Sequence, residues 1–382
     1  MSTVAYVGCY SRPEPHALGG SGKGLYAFSL DESTGKLSLL QEDSIGVNPS
    51  FLTVVDNQLL CAVTEEEQGS LHVLPLDKGG KWQKESSGGV RCTRTPTSWY
   101  SCYVSATDDK KTLLVADYLG GLVHSVSLRF DKGSVPTLIP RFVDELSYSS
   151  GVVQSRQLDP HPHCIVHQPG SDLVLVADLG ADRIYKYQLV QPTGKDVKAG
   201  EKQLQIYPLK SPAHTPLMSW VSTPPGSGPR HIIFHSQKPW LMYVSCELSC
   251  TVLVYQISGC CLELIQQIST LPSDYQGPCG VADLHMTPDG RHLYVSNRFH
   301  DTLAMFRVDP ESGLLHCFGY ESTRGKTPRN FAITKSGRLL LVANQDSNSL
   351  VTFRIDDRTG KLKFTGNVAE CVAPACVKLL EQ

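Results

Sequence analysis

One layout recurs along most of this chain, and it constrains the fold more than any other feature. The segment 327–355, TPRNFAITKSGRLLLVANQDSNSLVTFRI, has the same design as VADLHMTPDGRHLYVSNRFHDTLAMFRV (281–308) and GPRHIIFHSQKPWLMYVSCELSCTVLVYQI (228–257). HPHCIVHQPGSDLVLVADLGADRIYKYQL (161–189) is a fourth copy, and weaker copies lie at 101–128 and 48–74. Each unit reads as a strand, a turn such as PDG or KSG, a second strand rich in Leu, Val and Tyr, a short polar loop, and a third strand alternating apolar with polar. A fourth strand follows hairpins such as DESTGKL, DPESGLL and DDRTGKL, where glycine supplies the positive φ of the turn. Four antiparallel strands per repeat make a propeller blade. A solenoid fits poorly, because these units of 46 to 67 residues contain no helix to stack.

The ends fix the count. The N-terminal segment supplies three strands without a first one (VAYVGCY, GKGLYAFSL, KLSLLQED), and the C-terminal segment supplies a lone first strand, APACVKLL. Joined, they complete a seventh blade and remove two open sheet edges. The expected fold is all-β: a seven-bladed β-propeller over residues 1–382, one domain, its last blade closed by the C-terminal strand.

Aligned first strands bring Ser50, Cys102, His163, Arg230, Ala282, Arg329 and Ala375 to one position, and Phe51, Tyr103, Cys164, His231, Asp283, Asn330 and Cys376 to the next. The second strands end in Tyr10, Glu65, Tyr118, Leu179, Glu247, Arg298 and Gln345, 15 to 17 residues after the first ring wherever both lie in one repeat. First strands line the centre of a propeller, so each set forms a ring. A purely structural ring would repeat similar residues. Here His163, Arg230, His231, Glu247, Asp283, Arg298 and Arg329 gather in consecutive repeats. Three arginines around one concave mouth suit a carboxylate or phosphate ligand. The structural alternative is a buried ion-pair network, Arg230 with Glu247 and Arg298 with Asp283; three arginines and the histidines exceed two carboxylates and favour the anionic ligand.

Other signals carry less. The net charge of -2 with interspersed signs gives no basic face for nucleic acid. No apolar run reaches the roughly 18 residues of a membrane span, and the N-terminal stretch lacks a signal-peptide pattern, so a cytoplasmic location is expected. Thirteen cysteines without a C-x-x-C pair read as reduced, mainly structural thiols. His161 and His163 form H-x-H with no evident third ligand, so neither metal nor cofactor is expected. GGSGKG (19–24) leads into a strand and reads as a loop. His16, His214, His292 and His316 read as surface residues, Asp178 and Asp182 as turn-stabilising ones. Patterns give no conformation for 75–97, 131–158 or 190–227, the last long enough for a lid or a partner surface.

HPH, ADLGADRIYKYQL, GPRHIIF, TPDGRHLYVSNRFHDTLAMFRVDPESG and GKTPRNFAITKSGRLLLVANQDSNSLVTFRIDDRTGKL resemble the lactonase family of seven-bladed propellers, most strongly over 158–365. That family includes propeller-type 6-phosphogluconolactonases and 3-carboxy-cis,cis-muconate lactonizing enzymes. The resemblance implies a catalytic set of His163, Arg230, Glu247 and Arg298, with Arg329, His231, Asp283 and Gln345 around the substrate. The chain departs from the family pattern at CEL for NEL, at PRN for PRH, and at Asp283 where glutamate is usual. The implied activity is hydrolysis of 6-phosphogluconolactone, with a small anionic sugar lactone or carboxylate as partner. A muconate-type cyclase and a non-catalytic protein-binding propeller are the alternatives.

Overall fold

The computed structural model describes residues 3–130, 135–146, 151–190, 205–208 and 220–381. The innermost strands of the seven sheets are Phe51–Val55, Ser101–Ala106, Pro162–His167, Pro229–Phe234, Gly280–Met286, Pro328–Ile333 and Pro374–Glu381, which we number as blades one to seven. Each innermost strand packs against the next, and the seventh returns to the first, so the ring is closed. Blade seven joins Pro374–Glu381 to Thr3–Cys9, Leu25–Asp31 and Lys36–Asp43, with Thr3–Gly8 and Cys376–Glu381 paired antiparallel. The expected architecture and closure are therefore present. Blade three carries a fifth strand, Trp220–Ser222, beside Arg183–Val190.

Burial explains the strand sequences. Every second strand, including LLCAV, LVLVAD and LLLVAN, is buried along its whole length because neighbouring blades cover both faces. Outermost strands such as Cys261–Ser269 and Leu362–Glu370 alternate exposed and half-buried residues, as polar edges facing water do. Tyrosines on second strands tie blade to blade: Tyr243 donates to the Gly313 carbonyl (2.9 Å) and Tyr294 to that of Gly360 (2.7 Å). These phenols are apolar along the ring and need one acceptor at the tip, which the next hairpin provides.

All thirteen cysteines are free, and eight are buried. Asp178 accepts from the backbone N–H groups of His161, Gly180 and Ala181, and Asp182 from those of Gly226 and Gly228, so both brace turns as expected. Residues 19–24 form a loop leading into Leu25–Asp31. His316 is exposed, but His292 is only 4% exposed, a correction: it opens a second strand, and its ring packs under Gly360 of the next blade. His214 and most of 190–227, with the lid reading attached to it, lie outside the described residues. No helix among the described residues is long and apolar enough to cross a membrane.

Candidate active site at the mouth of the propeller

The aligned first-ring position has a specific backbone cause. In blades two to six the innermost strand slips register against its neighbour, skipping Cys102, His163, Arg230, Ala282 with Asp283, and Arg329. In blade seven the same slip skips Ala375. Each is a β-bulge, which leaves a residue unpaired and re-aims its side chain. The repeat thus turns this position out of the sheet in six blades, while in blade one Ser50 stands just before a strand that pairs without a slip.

The next position down does the opposite and fills the centre. Phe51 stacks on Tyr103 at 4.2 Å, and His231 sits edge-on to both, at 5.7 and 5.2 Å. Lys378 covers the other side of Phe51, 4.7 Å from its centroid. Only a space of about 10 Å³ remains beside this plug, room for roughly one water. The expected channel is therefore a blind pocket with an aromatic floor.

Above the floor lies a cavity of about 870 Å³. Five of the eight expected site residues line it: His163, Glu247, Arg298, Arg329 and Gln345. Arg230 lies one layer deeper and is joined to the cavity through Glu247. His231 and Asp283 do not line it. His231 Nδ1 is 2.7 Å from Asp283 Oδ1, and the other Asp283 oxygen receives Asn330 Nδ2 and His285 Nε2, so this pair belongs to the plug.

Glu247 is the hub. Its Oε2 receives Arg230 Nε at 3.0 Å and Arg298 Nη2 at 2.8 Å, while Oε1 receives Arg156 Nη2 at 2.7 Å. The expected Arg230–Glu247 pair is present. The expected Arg298–Asp283 pair is not, because Asp283 is turned down into the plug and Arg298 reaches Glu247. Burial alone would raise the Glu247 carboxyl, but Arg298, Arg230 and Arg156 outweigh it and hold the group well below the usual range. Burial and then Arg298 pull Arg230 down to about 10, which leaves it charged at neutral pH.

His163 stands against this cluster. Burial, then the charge of Arg230, holds its imidazole well below its ordinary value, so it is neutral at pH 7. Tyr118 packs edge-on at 5.4 Å, and Cys102 Sγ lies 3.7 Å from Nδ1. Tyr118 also accepts from Arg156 Nη2 at 3.1 Å and stacks flat on His161 at 4.4 Å.

The opposite wall holds Arg329, Glu65, His16 and Gln345. Burial would raise Glu65, but its contact with His16 (3.1 Å) and the charge of Arg329 bring it to about 2. Gln345 donates to the His16 carbonyl and to Asp346. Arg329 lies over the Tyr10 ring and has no ion pair among the described residues. At the inner end four guanidiniums, Arg156, Arg230, Arg298 and Arg329, thus face two carboxylates, Glu65 and Glu247. Two of these wall residues escaped sequence reasoning. Arg156 sits in the irregular stretch between repeats, where no register exists; His16 reads as a surface residue in the sequence, and it is exposed but on the pocket wall. Among the described residues no three His, Cys, Asp or Glu side chains cluster as a metal site would need.

Known proteins match this chain over its full length. Residues 4–379 match the family model described as Lactonase, 7-bladed beta-propeller. A 6-phosphogluconolactonase of Bacillus subtilis is 30% identical over 383 residues, covering 99% of each chain. A candidate 6-phosphogluconolactonase of Bacteroides fragilis superposes with a TM-score of 0.83 at 29% identity, covering 100% of this chain and 98% of its own. The periplasmic gluconolactonase of Pseudomonas aeruginosa gives 0.82 at 29% identity, covering 100% and 99%. The chain belongs to the lactonase family of seven-bladed β-propellers.

Proposed function

We propose that the protein hydrolyses a lactone carrying an anionic group, with 6-phosphogluconolactone as the first substrate. The observation that carries this reading is the unpaired Arg329 across the pocket from a neutral His163 and an arginine cluster. Arg329 binds the phosphate or carboxylate of the substrate. That places the lactone carbonyl toward Arg156 and Arg298, whose remaining N–H groups stabilise the developing oxyanion; one such donor is worth about 3 to 4 kcal/mol.

His163 takes a proton from water as the water oxygen attacks the carbonyl carbon. The ring C–O bond then breaks, and the imidazolium returns the proton to the leaving alkoxide, giving the open hydroxy acid. A base this depressed is weak on its own. The substrate anion offsets part of the guanidinium field, so binding itself raises His163 toward the range a base needs. Glu247 is a positioning residue, its carboxylate fixing three guanidiniums. His231 and Asp283 act behind them by holding the floor, and Gln345 lines the wall beside Arg329. No cofactor takes part in these steps. Phosphorylated sugar lactones stay where they are made, so this reading goes with a cytoplasmic protein.

The test supplies purified protein with freshly formed 6-phosphogluconolactone and, separately, with 3-carboxymuconate. Opening of the lactone well above its spontaneous rate supports hydrolysis. Turnover of muconate alone moves the site to cyclisation, and failure on both with intact folding removes the enzyme reading.

A further inference from the structure

Of the residues that follow the second-ring positions, four line the pocket: Leu119, Leu248 and Phe299 of blades two, four and five, and Asp346 of blade six. Blade three, between them, supplies Gly180, and the corresponding Ser11 and Glu66 of blades seven and one are not among the lining residues. The three apolar residues all line the cavity. Leu119 is 46% and Phe299 54% exposed, so this arc presents hydrocarbon to water beside a charged floor.

Phe299 also has φ of 71°, in the left-handed region, where a bulky side chain is costly. Its ring lies against the backbone of Gly280, where a Cβ would meet Phe299 Cε2 at 2.9 Å, and stands beside the Arg298 guanidinium. An aromatic ring that is both strained at its backbone and left in solvent contributes little to the fold. The cavity, at about 870 Å³, lies near the top of the roughly 300–1,000 Å³ range of pockets for drug-sized ligands, more than a hexose phosphate fills.

We infer that Phe299, Leu119 and Leu248 form an apolar subsite, and that the substrate class extends to lactones carrying a hydrocarbon arm as well as an anionic end. The inference rests on the hydrolase reading only for the word lactone. The arm lies along the blade two-to-five arc while the anion reaches Arg329.

The test separates binding from turnover. Straight-chain carboxylates from butanoate to octanoate are titrated calorimetrically against the wild-type protein and Phe299→Gly, with the thermal midpoint of each. Affinity is expected to rise about fourfold per buried methylene in the wild type. Phe299→Gly is expected to flatten that slope while raising the thermal midpoint, since glycine relieves the positive φ. A flat wild-type series, or a slope unchanged in the variant, overturns the subsite. A parallel series of δ-lactones that carry a carboxylate and an alkyl arm of increasing length reads turnover: chain-dependent binding without any ring opening defeats the hydrolase reading and leaves the subsite standing.

Discussion

The guanidinium of Arg329 lies 5.2 Å from the centroid of the Tyr10 ring, and no carboxylate among the described residues pairs with it. The phenol of Tyr10 is engaged instead with Glu65 (3.0 Å) and His16 (3.0 Å). Arg329 is therefore held by a ring face at the cavity wall. A cation with no direct ion pair, whose charge is favoured by the nearby Glu65, keeps N–H donors for a bound anion. Arg329→Gln is expected to raise KM for an anionic lactone about 10- to 100-fold while the protein still unfolds cooperatively, with a thermal midpoint lowered only by the lost attraction to Glu65. Sulfate should raise the midpoint of the wild type and not of the variant. An unchanged KM would remove Arg329 from substrate binding.

Glu247 carries the opposite expectation. Removing its charge leaves Arg230 and Arg298 buried without a counter-charge, and breaking such a pair costs about 3–5 kcal/mol. Glu247→Gln should unfold at markedly lower denaturant and lose activity together, because the arginines it fixes lose their geometry. Retained stability would show that the three contacts are replaceable.

Much of this was legible in the sequence because repetition supplies register. Once six copies are aligned, the position that bulges toward the axis holds His163, Arg230 and Arg329 without any structure. The depth of each ring was not legible. Phe51, Tyr103 and His231 close the centre only because their side chains meet across blades far apart in sequence, and that closure takes Asp283 away from Arg298. Arg156 was invisible for a different reason: it lies in a connection with no counterpart in other repeats. His16 likewise gains meaning only when the first loop of blade seven folds against Glu65.

The floor gives a pH dependence. Burial, then Arg230, holds His231 down at about 4, against roughly 6.5 in an unfolded chain. Between these values the unfolded state binds more protons, so stability is full above pH 6.5 and declines as pH falls toward 4. His163 shifts in the same direction. From pH 7 to 5, His231 alone should account for about 2 kcal/mol of lost stability. His231→Asn, which keeps a donor toward Asp283, should shrink the fall in thermal midpoint over that interval. An equal fall in both proteins would assign the acid lability elsewhere.

Closure of the ring through blade seven makes the final strand indispensable. Deleting Pro374–Glu381 opens an edge on Thr3–Cys9, a strand buried along its length, and uncovers the innermost strand of blade six. The shortened chain should be insoluble or exchange its backbone amides globally. A soluble, cooperative product would show that the other blades stand without the clasp.

The central claim is that His163 and the arginines fixed by Glu247 act together on one lactone. Steady-state kinetics on 6-phosphogluconolactone for the wild type, His163→Gln and Arg298→Ala test it most directly, with spontaneous opening subtracted. His163→Gln should lower kcat about 100- to 10,000-fold with KM little changed, as expected for loss of a general base, and Arg298→Ala should lower kcat about 100- to 1,000-fold. Wild-type rates in both folded variants would contradict it.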